Sequence, residues 1–169
     1  MNHKTKEFLV IWIQGSGCSG CSVSVLDSFS PSITNVLIDE LIPGSHVSLL
    51  FHPTVMAGSG ESAIAAITKA EEEHGGEYIL VVEGSVAIGH NGAFAGIAEY
   101  KGKHLTMPEL TTELASKALA VIAVGTCASF GGVPGSAPNP TGIMGVQDFL
   151  ELKGIKKPLI NVSGCPAHP

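Results

Sequence analysis

Four cysteines are the residues best suited to chemistry in this chain, and their spacing is uneven. Cys18 and Cys21 form a C-x2-C pair, whereas Cys127 and Cys165 stand alone in distant segments. Thiolates are soft ligands that suit zinc and iron–sulfur clusters. Structural zinc sites commonly bring two C-x2-C knuckles. One pair joined by two isolated cysteines therefore favours iron–sulfur ligation, with zinc and inert buried thiols as the alternatives. The neighbours are small: Gly17-Cys18-Ser19-Gly20-Cys21, Gly125-Thr126-Cys127-Ala128 and Gly164-Cys165-Pro166. Small residues let backbone N–H groups approach inorganic sulfide, which helps to set a cluster's potential. A Cys-Pro step also closes ferredoxin-type ligand runs.

A competing motif overlaps the first pair. Gly15-Ser16-Gly17-Cys18-Ser19-Gly20 fits G-x-G-x-x-G after a strand, the context of a dinucleotide fingerprint. That fingerprint needs an acid at the end of the second strand. Here the strand runs into Phe51-His52-Pro53, and Asp39-Glu40 belong to the preceding helix, so a nucleotide or flavin module is the weaker reading. Other residues have plain readings. His52 is expected to be a hydrogen-bonded structural histidine and Trp12 a core residue rather than an electron relay. Glu83, at a strand end on the cysteine side, is expected to stabilise a turn, with proton or interface chemistry as the sharper alternative. Glu71-Glu72-Glu73 reads as a solvated helix end, and His168 is open between disorder and an interface contact.

The elements that must position the cysteines alternate. Continuous apolar runs at 8–13, 47–51, 78–82, 119–124 and 159–162 have strand length and suit parallel strands buried on both faces. Helical spacing is expected at 23–29, at 31–41 with Pro31 in its first turn, at 59–73, from Met107-Pro108 to 117, and at 146–153. Glu61 in the first turn of the third helix suits the helix dipole. Segments 15–22, 84–96 and 131–142 read as glycine-rich loops, and 99–105 as a hairpin around Lys101-Gly102. Strands alternating with helices predict an α/β fold with an open, mostly parallel, flavodoxin-like sheet. Cys18 and Cys21 follow the first strand, Cys127 the fourth and Cys165 the fifth. All four then lie along the carboxyl edge of the strands, where open α/β sheets bind ligands.

Composition narrows the function classes. With 169 residues and 44% hydrophobic content the chain can bury one core of ordinary size, and residues 1–169 are expected to form a single domain. A net charge of −6 with no basic cluster longer than Lys156-Lys157 leaves no footprint for nucleic acid or anionic lipid. Only 14% of residues are charged, well under the roughly 25% usual for soluble domains, so a partner is expected to cover part of the surface. No signal peptide, twin-arginine pair or membrane span is read in the chain as it stands, which predicts a cytoplasmic protein whose thiols stay reduced.

Taken together, Trp12-Ile13-Gln14-Gly15-Ser16-Gly17-Cys18-Ser19-Gly20-Cys21-Ser22, Phe51-His52-Pro53-Thr54-Val55-Met56-Ala57, Val82-Glu83-Gly84-Ser85, Gly125-Thr126-Cys127-Ala128-Ser129-Phe130-Gly131-Gly132 and Gly164-Cys165-Pro166 resemble the small subunit of nickel-iron hydrogenases. The motifs occur in the family's order from residue 8 to the end. The resemblance implies one 4Fe-4S cluster, the family's proximal cluster, held by Cys18, Cys21, Cys127 and Cys165. It implies an electron-transfer subunit of a hydrogenase, not catalytic alone, whose cluster faces the nickel-iron centre of a separate large subunit, with a further electron-acceptor subunit as a second partner. Two features depart from the family pattern. Val23 stands where many members have glutamate, and the second cluster-bearing domain usual in the family is not expected in a chain ending four residues after Cys165. The alternatives are a non-enzymatic iron–sulfur carrier and a subunit like those of complex I. The latter carry adjacent cysteines where this chain has Cys18-Ser19-Gly20-Cys21.

Overall fold

A computed structural model describes residues 6–39 and 42–169. Its centre is a five-stranded parallel sheet in the order β2-β1-β3-β7-β9. The strands are β1 (Lys6–Gln14), β2 (Ser45–Phe51), β3 (Tyr78–Glu83), β7 (Ala120–Val124) and β9 (Leu159–Val162). Two antiparallel pairs flank it, β4 (Val86–Ala87) with β8 (Ile143–Met144) and β5 (Gly96–Tyr100) with β6 (Lys103–Thr106). The chain begins at β1, steps out to the edge at β2, and returns past β1 to β3. This order reverses direction between β1 and β3, the point where open α/β sheets form a ligand crevice at their carboxyl edge. The expected α/β, flavodoxin-like class is the one found.

The two faces of the sheet are not equal. Leu9, Ile11 and Ile13 of β1, Leu80 and Val82 of β3, and Val121 and Ala123 of β7 point into the main core. They meet Ile64, Ile67 and Ala70 of α3 (Glu61–His74) and Leu110, Leu114 and Ala115 of α4 (Met107–Lys117). The opposite face carries only a small cluster of Cys21, Val81, Val124 and Ala167, against half-buried Val10, Trp12, Ile79 and Ile122. The expectation of strands buried on both faces is corrected on this side. A parallel strand's continuous apolar run supplies both faces, but here the helices pack mainly on one.

Local chemistry sets the helix ends. Thr106 and Glu109 form a capping box at the start of α4, where the Glu109 carboxylate accepts the Thr106 N–H at 2.9 Å. Ser32 and Asn35 do the same for α2 (Ile33–Ile38), so Pro31 lies just outside that helix rather than in its first turn. The end of this helix anticipated at Leu41 lies outside the described residues. The helix expected at 23–29 is α1 (Gly20–Leu26), which begins earlier and takes in Cys21. The remaining helices are α5 (Gly125–Phe130) and α6 (Val146–Leu152).

The acidic run at the end of α3 is not wholly solvated, which corrects the sequence reading. Glu71 is only 4% exposed and turns in towards α4. Lys117 Nζ approaches its Oε1 at 3.1 Å, off the line of a hydrogen bond. Burial pushes the Glu71 carboxyl above its ordinary value, and the nearby ammonium offsets only part of that. Among the described residues no helix is long and apolar enough to cross a membrane.

Candidate metal centre

Four loops leave the carboxyl edge of the sheet and are stitched together in pairs. Gly15 N–H donates to Glu83 O at 2.7 Å, and Ser16 and Ser85 exchange backbone hydrogen bonds at 2.9 Å in both directions. This bridge ties the loop after β1 to the loop after β3. Thr126 N–H donates to Gly164 O at 2.8 Å, and Gly164 N–H returns to Thr126 Oγ1 at 3.2 Å, joining the loops after β7 and β9. Ser24 Oγ donates to Ala167 O at 2.8 Å, which connects α1 to the segment after Cys165.

Cys18, Cys21, Cys127 and Cys165 all line one small pocket between these loops. Cys21 is buried, Cys127 partly so, and Cys18 and Cys165 are exposed; none is in a disulfide. Cys21 sits in the first turn of α1 and Cys127 in the first turns of α5. The sequence predicts no helix at 125–130, because glycine, threonine and serine carry weak helix propensity.

The backbone at the sulfurs has room for nothing but glycine. A Cβ on Gly125 would lie 2.5 Å from Cys21 Sγ, and one on Gly132 would lie 2.8 Å from Cys127 Sγ. Both have left-handed backbones, with φ of 89° and 56°. Ala167 N–H points at Cys21 Sγ at 3.4 Å. Burial pushes the Cys21 thiol up, the Ala167 N–H lowers it, and Glu83, Cys18 and Cys165 raise it again. Cys127 is raised by burial and by the three other cysteines. Cys21 and Cys127, both raised by burial and by neighbouring cysteines, suit a shared cationic group that would relieve that cost. Four soft donors, glycine walls and an N–H directed at sulfur fit an iron–sulfur cluster. Among the described residues no three His, Cys, Asp or Glu side chains are placed to hold a single metal ion.

Behind Cys21 lies a buried polar network. Glu83 Oε1 accepts the Ser22 N–H at 3.0 Å, while Oε2 accepts from Gln14 Nε2 at 2.9 Å, Trp12 Nε1 at 3.1 Å and the Ser22 hydroxyl. Burial would raise the Glu83 carboxyl, but these donors win and hold it below the usual carboxylate range. His52 Nδ1 accepts the Thr54 N–H at 3.2 Å, so the neutral ring carries its proton on Nε2 and donates to Ser22 Oγ at 3.3 Å. Burial lowers the His52 pKa, with Glu83 opposing. The expected structural histidine is what the geometry gives. Trp12 does more than fill the core: its ring lies 4.9 Å from that of His52, and its N–H serves Glu83. Glu83 joins β1, β3 and α1 rather than a single turn. Ser22, Gln14 and Gly132 were not singled out from the sequence. Their places in the motifs that carry the resemblance, beside cysteines, were the available signal, but no individual role was legible because the partners of Gln14 and Ser22 lie up to 69 residues away.

The description "NADH ubiquinone oxidoreductase, 20 Kd subunit" belongs to a family model that matches residues 18–169. The periplasmic NiFeSe hydrogenase small subunit of Desulfomicrobium baculatum is 44% identical over 174 residues, covering 100% of this chain and 53% of that protein. The periplasmic NiFe hydrogenase small subunit 1 of Nitratidesulfovibrio vulgaris is 38% identical, over 95% of this chain and 46% of its own. The solved structure of recombinant NiFeSe hydrogenase from Desulfovibrio vulgaris Hildenborough matches with a TM-score of 0.90 and 42% identity, over 100% of this chain and 58% of that one. The chain spans about half the length of the curated relatives it matches. The cytoplasmic expectation is corrected here. It rested on reading no export signal in these residues, and these two relatives are periplasmic proteins by name. A reducing cytosol therefore does not account for the four free thiols, which are unbridged in the structure.

Proposed function

Because this chain belongs to the family of the NADH ubiquinone oxidoreductase 20 kDa subunit and corresponds within it to the amino-terminal domain of NiFe hydrogenase small subunits, we propose that it is the electron-transfer unit of a NiFe hydrogenase. Cys18, Cys21, Cys127 and Cys165 hold one 4Fe-4S cluster, which when bound supplies one-electron redox chemistry between a large subunit's nickel-iron centre and an acceptor. The working compartment is the periplasm, as in the relatives so named.

The observation that carries this reading is the convergence of four cysteines from three sheet-edge loops on one pocket, with glycines against two of the sulfurs. One C-x2-C pair joined by two isolated cysteines, in place of the two C-x2-C knuckles common in structural zinc sites, favours an iron–sulfur cluster over zinc. The chain's own residues supply the rest: the Ser16–Ser85 and Thr126–Gly164 bonds fix the spacing of the ligand loops, and Ala167 N–H offers charge relief at Cys21.

The family description itself favours a second reading, a subunit like those of complex I. The separated Cys18-Ser19-Gly20-Cys21 arrangement, in place of adjacent cysteines, weighs against it.

The test is anaerobic purification with iron, sulfide and nickel analysis. The expected result is about four irons and four sulfides per chain, lost or converted when any one of the four cysteines is changed to serine, and co-purification with a nickel-bearing partner. Hydrogen-dependent dye reduction is expected only with that partner present. Full iron–sulfur content in all four serine variants would overturn the ligand assignment.

A further inference from the structure

Glu83 is a charged group buried without a cation. It is 4% exposed, and none of the ion pairs among the described residues includes it. Its four hydrogen bonds all come from neutral donors, and they come from two different elements: Trp12 and Gln14 from β1, and both the backbone and hydroxyl of Ser22 from α1. The chain of protons is directional. Thr54 N–H donates to His52, His52 to Ser22, and Ser22 to Glu83, so each step points positive charge towards the carboxylate.

Two consequences meet at Cys21. Ser22 follows it directly, so the bond from Ser22 N–H to Glu83 Oε1 fixes the backbone that carries the thiol. Glu83 is also among the residues that line the same pocket as the four cysteines. A fixed negative charge beside a site that gains an electron disfavours the reduced state, and in a partly buried site that effect is weakly screened.

We propose that Glu83 is a positioning residue for Cys21 and, through its fixed charge, lowers the reduction potential of the group that the four cysteines hold. This rests on the iron–sulfur reading of the site. The neutral donors of Trp12, Gln14 and Ser22 then act as a brake, spreading the charge and limiting how far the potential falls.

Redox titration of the full protein, purified anaerobically and followed by electron paramagnetic resonance, tests the idea with two variants of opposite sign. Glu83→Gln keeps the volume and an acceptor for Ser22 N–H but removes the charge, so the midpoint potential should rise. Trp12→Phe leaves the charge and removes one neutral donor, so the midpoint should fall. A residue that only shaped the loop would change the amount of bound iron without moving the midpoint of the protein that loads. An unchanged midpoint in Glu83→Gln overturns the proposal. Should Glu83→Gln fail to load, Trp12→Phe decides it, and an unchanged or raised midpoint there overturns it equally. A wild-type protein with no iron–sulfur signal would be a different failure, that of the site reading itself.

Discussion

Gly125 shows how closely single residues are held to their role here. A side chain at this position has two costs: a left-handed backbone, about 1–2 kcal/mol for a non-glycine residue, and the approach of its Cβ to Cys21 Sγ at 2.5 Å. Gly76 has the same backbone sign, with φ of 86°, and open space around its Cβ. Gly76→Ala is therefore expected to cost about 1–2 kcal/mol with iron content unchanged. Gly125→Ala should cost a further ~1–3 kcal/mol from overpacking and lose most of its iron. Chemical denaturation and iron analysis of the two variants side by side check this, and equal iron in both would show that the contact is not limiting. The cysteines themselves were legible in the sequence because a thiol's chemistry is local. Gly125 was legible only as a small neighbour, since the sulfur it accommodates comes from another loop.

Between elements, the contact of α3 with α4 places Glu71 beside Lys117. The Glu71 carboxyl is raised by burial. A raised folded-state value means that the protonated form is favoured in the fold. Its stabilising share is thus complete below the ordinary carboxylate value and is lost as pH rises through the raised one. Glu71→Gln removes that dependence. The variant should match or exceed wild-type stability at pH 7, and its relative advantage should shrink as the pH is taken down to about 4.5, the ordinary carboxylate value. Urea midpoints at the two pH values measure it; an advantage that grows on acidification would contradict the burial argument. The sequence pattern at α3 was sound for the apolar stripe of Ile64 and Ile67. It failed for Glu71, since periodicity marks which face a residue lies on but not whether a neighbouring helix covers it.

Across the whole molecule, apolar residues remain uncovered on and around the cysteine side. Phe130 and Val133, in and just beyond the α5 helix that carries Cys127, are 65% and 81% exposed. Val23, where many hydrogenase small subunits have glutamate, is also exposed. Apolar surface rimmed by glycine-rich, weakly charged loops is the composition of a buried interface core. Hydrogen exchange with and without a co-expressed large subunit should show new protection in segments 15–22, 84–96 and 126–142. Unchanged exchange in all three would mean that the partner docks elsewhere. Without a partner the protein should aggregate as concentration rises, which light scattering reads directly.

The order of elements, the parallel sheet and the identity of the four cysteines were readable along the chain. Each depends on a short-range property: apolar runs of strand length, a capping pair such as Thr106 and Glu109, or the chemistry of one side chain. The start of α1 at Gly20, the turn of α5 around Cys127, and the four-donor cradle of Glu83 were not readable. These depend on which loops meet at the carboxyl edge once β1 lies between β2 and β3. Hydrogen-bond partners 61 to 71 residues apart leave no periodic trace in sequence. They are set by the crossover that brings β3 back beside β1, and only the folded sheet places Trp12, Gln14 and Ser22 around one carboxylate.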